Sequence, residues 1–155
     1  MRFGSFSGSS IFRPLQFLGL WLLAGCGPVP EARVAVHEAW IKEGPPVHKM
    51  AAAYMRLENL GAKAVALIAI ELEQGRAELH YMRHQDGVMQ MGTLERLDLA
   101  PGQSVSLQPS GTHIMLLDLP QAPRAGQQLP LKLIFAGGYT RRCTALVKRP
   151  EGLHQ

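Results

Sequence analysis

Only two of the 155 residues are cysteine, Cys26 and Cys143, and they form no Cys-x-x-Cys pair. A thiolate zinc site and a dithiol redox centre are therefore excluded. Acidic residues number 12 and nowhere cluster, which removes the cage of oxygen ligands that calcium or magnesium needs. Charged residues make up 18% of the chain, and beyond short pairs such as Arg141-Arg142 the basic ones are scattered. Without a basic helix or an aromatic-studded basic strip, nucleic acid is not an expected partner. No apolar run reaches the roughly 20 residues that span a bilayer. A nucleophile elbow, an HExxH motif and paired carboxylates are also missing, so no enzyme is expected. What remains is a chain with 46% hydrophobic residues, which suits one globular domain and argues against disorder.

The first 25 residues hold Arg2 and Arg13 but no acid, followed by a short apolar run from Leu15 to Leu23. That is the layout of a signal peptide. The run ends Leu23-Ala24-Gly25-Cys26 and resembles the bacterial lipobox, which implies cleavage before Cys26 and lipidation of its thiol. The expected mature protein is thus a periplasmic lipoprotein held to a membrane by acyl chains. Gly27 in place of aspartate points, by analogy, to the outer membrane. The chain then divides into a signal peptide (1–25), a proline-stiffened tether (26–33), one domain (34–149) and a short tail (150–155). Cys143 is left as the one thiol, in an apolar-alternating run with Ala145 and Val147 that predicts a buried, inert side chain.

Beyond the tether almost every segment reads as strand. Runs are expected at 33–41, 51–58, 63–72, 76–84, 88–91, 94–99, 104–108, 113–119, 129–135 and 140–147, although the alanines of 51–58 leave a helix open. Asp86-Gly87 between two such runs predicts a hairpin. Short strands with turns every eight to twelve residues predict an all-β sandwich.

The stretch His80–Met115 holds three of the six histidines and four of the seven methionines. In a strand, residues two apart share a face. His80 thus goes with Met82, Met89 with Met91, and His113 with Met115, and the hairpin brings the first two pairs together. Thioether sulfur is soft and uncharged and suits Cu(I), and neutral imidazole binds copper in either oxidation state. Such a donor set avoids the disulfide chemistry that an oxidising compartment imposes on thiols. It does not suit zinc, which prefers His, Cys and carboxylate. Taken singly, each methionine has core packing as its ordinary role, and each histidine near a turn is ordinarily solvated.

The spacing His80-x10-Met91-x21-His113-x-Met115 resembles the signature of the PCuAC family of periplasmic copper chaperones. Ala53-Tyr54-Met55-Arg56-Leu57-Glu58-Asn59, Ala77-Glu78-Leu79-His80 and Leu107-Gln108-Pro109-Ser110-Gly111 resemble its flanking segments. The resemblance implies a cupredoxin-like Greek-key β-sandwich with one Cu(I) per chain, held by His80, Met91, His113 and Met115. It also implies a copper-accepting partner, such as cytochrome c oxidase subunit II or a Sco-type thiol protein. Met82 and Met89 are further candidates, as substitute ligands or an entry shell, with packing against the site as their ordinary role. Trp40 and Tyr54 are expected in the core or at the rim, and His37, His48 and His84 at the surface. Two rival readings stay open. One is a metal-free sandwich lipoprotein with a structural or adhesive role. The other is a blue-copper protein, which would need Cys143 as ligand although no methionine follows it.

Overall fold

The computed structural model describes residues 33–149 apart from Asp86. The leader, Cys26, the rest of the tether up to residue 32 and the tail lie outside the described residues. Ten strands follow in order: β1 Val34–Lys42, β2 Ala51–Asn59, β3 Val65–Glu71, β4 Arg76–Gln85, β5 Val88–Thr93, β6 Leu97–Leu99, β7 Ser104–Leu107, β8 His113–Leu117, β9 Gln128–Phe135 and β10 Thr140–Lys148. No described residue is helical. All ten predicted strands are present, with ends shifted by a few residues.

The strands hydrogen-bond in the order β5-β4-β8-β2-β1-β10-β9-β3-β6, with β7 beside β2. β1 and β10 run parallel, and the other pairings are antiparallel. A bridge between Ile70 of β3 and Ala77 of β4 joins the strands next to either end of the path. The result is the cupredoxin-like Greek-key β-sandwich.

Alternation decides what lies inside. Ala51, Ala53, Met55 and Leu57 of β2 face the core, so β2 is a strand despite its alanines. Small side chains at 51 and 53 let it pack between two layers, and tertiary burial outweighs helix propensity. Ile114 and Leu116 of β8, Leu131, Leu133 and Phe135 of β9, and Ala145 and Val147 of β10 complete the interior. Asn59 is a fully buried polar residue. Its amide donates to the carbonyls of Lys63 (2.8 Å), Leu99 (3.1 Å) and Ala100 (3.2 Å), and its side-chain oxygen accepts from Gly61 N–H (3.0 Å). With every polar atom partnered, burial costs little. The asparagine ties the end of β2 to the turn after β6.

Two strands outgrow the sandwich. β4 pairs with β8 only from Arg76 to His80, while its pairing with β5 runs from His80 to Gln85. β5 is exposed along almost its whole length. The second half of β4 and all of β5 therefore form a two-stranded arm that springs from the sandwich at His80.

Candidate metal centre

The register places the sequence-predicted residues on one sheet face. His80 stands directly opposite His113 on one side and Thr93 on the other. Two residues along the arm, Met82 stands opposite Met91, and two further on His84 stands opposite Met89. In the other direction Glu78 stands opposite Met115. The intervening residues Leu79, Ile114 and Leu116 enter the core, so this face is the outer one. Met91 and Met115 thus lie on opposite diagonals of His80, each in a neighbouring strand. Diagonal positions are separated by about 7–8 Å, within reach of long side chains. Met82 is as close to His80 as Met91 is and shares its face.

The methionines are not core filler. Met82, Met89, Met91 and Met115 belong neither to the hydrophobic core nor to the residues packed against it, whereas Met55 does. Met91 is 59% exposed and Met89 48%. Large apolar side chains are not held at a protein surface by burial, so their grouping on one face calls for another cause.

The imidazoles are oriented by their neighbours. The ring centroids of His80 and His113 are 6.1 Å apart. His80 Nε2 lies 2.9 Å from Glu78 Oε2. The hydrogen bond from His80 and the Arg76 charge hold the Glu78 carboxyl below its ordinary range, so it is the acceptor and Nε2 carries the proton. In the neutral ring Nδ1 is then the lone-pair nitrogen. That atom is buried and has no hydrogen-bond partner among the described residues. A buried nitrogen without a donor is costly unless something else satisfies it. His113 is only 5% exposed, and its Nδ1 donates to the Gly111 carbonyl at 2.9 Å, which leaves Nε2 as its lone-pair nitrogen. Each ring therefore has one nitrogen fixed by an outer partner and the other left as a σ-donor. Metal-binding histidines have this arrangement, the outer hydrogen bond setting tautomer and ring angle.

Further contacts hold the frame. Arg76 hydrogen-bonds Glu78 and donates from Nε to Asp118 Oδ2 at 2.7 Å. Tyr54 is buried, its ring centroid 6.3 Å from His113 and 4.6 Å from Trp40. Burial raises its phenol above the usual value, so it remains neutral. Trp40, Tyr54, His113 and His80 thus form a row of rings across four strands, with the two aromatics at the rim. Sequence reasoning missed Glu78 and the Gly111 carbonyl, although each lies two residues before a histidine, the spacing that puts a neighbour on the same face.

Among the described residues no three His, Cys, Asp or Glu side chains are grouped to hold a metal ion. The other donors near the imidazole pair are the Glu78 carboxylate, already engaged by His80 and Arg76, and the thioethers. Cys143 is on β10, separated from β8 in the sheet by β1 and β2. Its thiol is partly rather than fully buried, and burial pushes it up to about 11. It remains a protonated thiol, away from both imidazoles. His48 and His84 are at the surface as expected, whereas His37 is half-buried against Glu58 at 3.0 Å. The surface groove between Leu72 and Pro130 touches none of the candidate donors.

Solved structures share this fold. The copper-bound PCuAC domain from PmoF2 matches with a TM-score of 0.63 at 18% identity, covering 80% of this chain and 97% of that domain. The Cu(I) form of DR1885 from Deinococcus radiodurans matches with a TM-score of 0.55 at 24% identity, covering 81% and 83%. At such identities the likeness establishes the fold. A curated relative, Lxx21020 of Leifsonia xyli subsp. xyli, named as a lipoprotein, is 28% identical over 124 residues, 79% of this chain and 74% of the relative. The model of the LpqE-like lipoprotein family matches residues 34–147, essentially the whole folded domain. The chain belongs to the LpqE-like family, and its domain has the PCuAC fold.

Proposed function

We propose that the protein is a Cu(I) carrier anchored as a lipoprotein outside the cytoplasm, one that binds copper and passes it on without catalysis. The observation that carries this reading is the facing pair His80 and His113, with a buried, unpartnered Nδ1 on His80. The thioethers grouped on the same outer face add the soft donors that favour Cu(I) over zinc or a hard ion. The ligands of this reading are His80, Met91, His113 and Met115, with one Cu(I) per chain. The copper-bound PCuAC domains of the same fold support it, and the lipoprotein name of the Leifsonia relative supports the anchor.

Met91 is exposed while His113 is buried. An ion between them has one side held by the protein and one side open to a partner. Incoming ligands replace the thioethers first, because neutral sulfur on a flexible, solvent-facing side chain is the easier bond to exchange. The imidazoles release last. The recipient in this reading is an extracytoplasmic copper enzyme, with cytochrome c oxidase subunit II, or a Sco-type thiol protein that serves it, as the foremost choice.

The test is anaerobic Cu(I) titration against a competing chelator, with X-ray absorption to count sulfur and nitrogen neighbours. A mixed sulfur and nitrogen shell is expected, with binding strongly weakened in His113→Ala and in Met115→Leu while the fold is kept. Unchanged affinity in both variants would overturn the assignment.

A further inference from the structure

The donors do not stop at the proposed centre. Along the arm, on the same outer face, the register opposes Met82 to Met91 and then His84 to Met89. Directly opposed residues have Cβ atoms about 4.5–5.5 Å apart. His84 is exposed, and its side chain makes no hydrogen bond with a described residue. Met89 is exposed, and none of these four side chains packs on the core. Two thioethers and an imidazole thus cluster beyond the centre, on an element that contributes nothing to the interior.

We propose that Met82, His84 and Met89 form a second, weaker Cu(I) station at the outer end of the arm, and that copper leaves the His80–His113 centre through it. This rests on the Cu(I) reading above and deepens it. His80 and His84 are four residues apart in one strand, about 13 Å at roughly 3.3 Å per residue. Met82, the inner ligand of the station, stands midway beside Met91, so each step from His80 to Met82 and from Met82 to His84 is about 6–7 Å, which the three rotatable bonds of methionine bridge. Each hop forms one copper–sulfur or copper–nitrogen bond as another breaks. Copper stays Cu(I) throughout, and no proton or electron moves. The outer station presents the ion where a partner's ligands meet it, and the buried imidazole remains behind.

The experiment uses the full chain under anaerobic conditions, with Cu(I) buffered by a chelator and read by native mass spectrometry and X-ray absorption. The wild-type chain is expected to take a second, weaker equivalent, lost in His84→Ala/Met89→Leu while the first is kept. The same variant is expected to release its first equivalent to an acceptor chelator several-fold more slowly. A His80→Ala/His113→Ala chain is expected to keep weak, sulfur-rich Cu(I) binding. If the wild type binds one equivalent only and the outer variant releases it at the wild-type rate, the station is refuted and the carrier reading stands. If the wild type binds no Cu(I), both fall. Since His84 and Met89 lie outside the core, circular dichroism of that variant is expected to match wild type.

Discussion

An imidazole offers one lone pair when neutral, and which nitrogen offers it depends on what the other is bonded to. At His80 that choice belongs to Glu78, and at His113 to a backbone carbonyl. Glu78→Gln weakens the acceptor and lets the ring turn over. The expected result is an approximately 10- to 100-fold loss of Cu(I) affinity, with a shift of the His80 tautomer in nitrogen NMR of the metal-free protein. A normal tautomer alongside normal affinity would show that Glu78 serves only Arg76. Cys143 gives a second residue-scale prediction. Its thiol is raised to about 11 by burial, so the unfolded chain loses this proton at lower pH than the folded one. Its effect on stability is absent below the unfolded value, near 9, and destabilises the fold progressively as pH rises from there towards 11. Chemical denaturation across that window, compared with Cys143→Ala, measures it. At neutral pH the thiol should alkylate slowly in the native protein and readily once unfolded.

At the scale of elements, two turns with left-handed glycines carry β4 differently. Gly75, before β4, has φ +90°, and a Cβ there would lie 2.5 Å from the Leu117 carbonyl oxygen. Gly87, in the arm's turn, has φ +80° with open space around it. Gly75→Ala suffers both backbone strain and a clash with backbone, so a loss above the roughly 1–3 kcal/mol of strain alone is expected. Gly87→Ala suffers strain only, in an arm that hardly contributes to global stability, and should leave the melting temperature nearly unchanged. Thermal unfolding of the two variants checks the order. The hairpin was legible in the sequence because Asp-Gly between apolar-alternating runs has few other uses. That β4 outgrows β8 was not, since strand length shows in a sequence while the length of its partner's pairing does not.

For the whole molecule, stability and binding are carried by different parts. The sandwich holds the buried leucines, isoleucines and Phe135, and the arm holds the exposed thioethers. Amide hydrogen exchange should therefore be slowest in β1, β2, β9 and β10 and fast in β5 and the outer half of β4. Adding Cu(I) should slow exchange in the arm selectively, because ligation ties down two strands whose other hold on the sandwich is slight, such as the 3.3 Å bond from Met82 N–H to the Gly111 carbonyl. Uniform slowing throughout the chain would instead indicate simple stabilisation of the fold.

The sequence by itself determined nine of the ten strands and the hairpin, left 51–58 open between strand and helix, and paired faces only within strands: His80 with Met82, Met89 with Met91, and His113 with Met115. Alternation is a local property of an extended backbone, and burial enforces it. Local pattern could not say which strand lies beside which. Only the tertiary structure put His80 opposite His113, set Glu78 and Gly111 behind the two rings, left Nδ1 of His80 buried without a partner, and ran a line of donors outward along the arm. Those are consequences of register between strands distant in the chain, fixed when the whole core closes over Leu79, Ile114 and Leu116 at once.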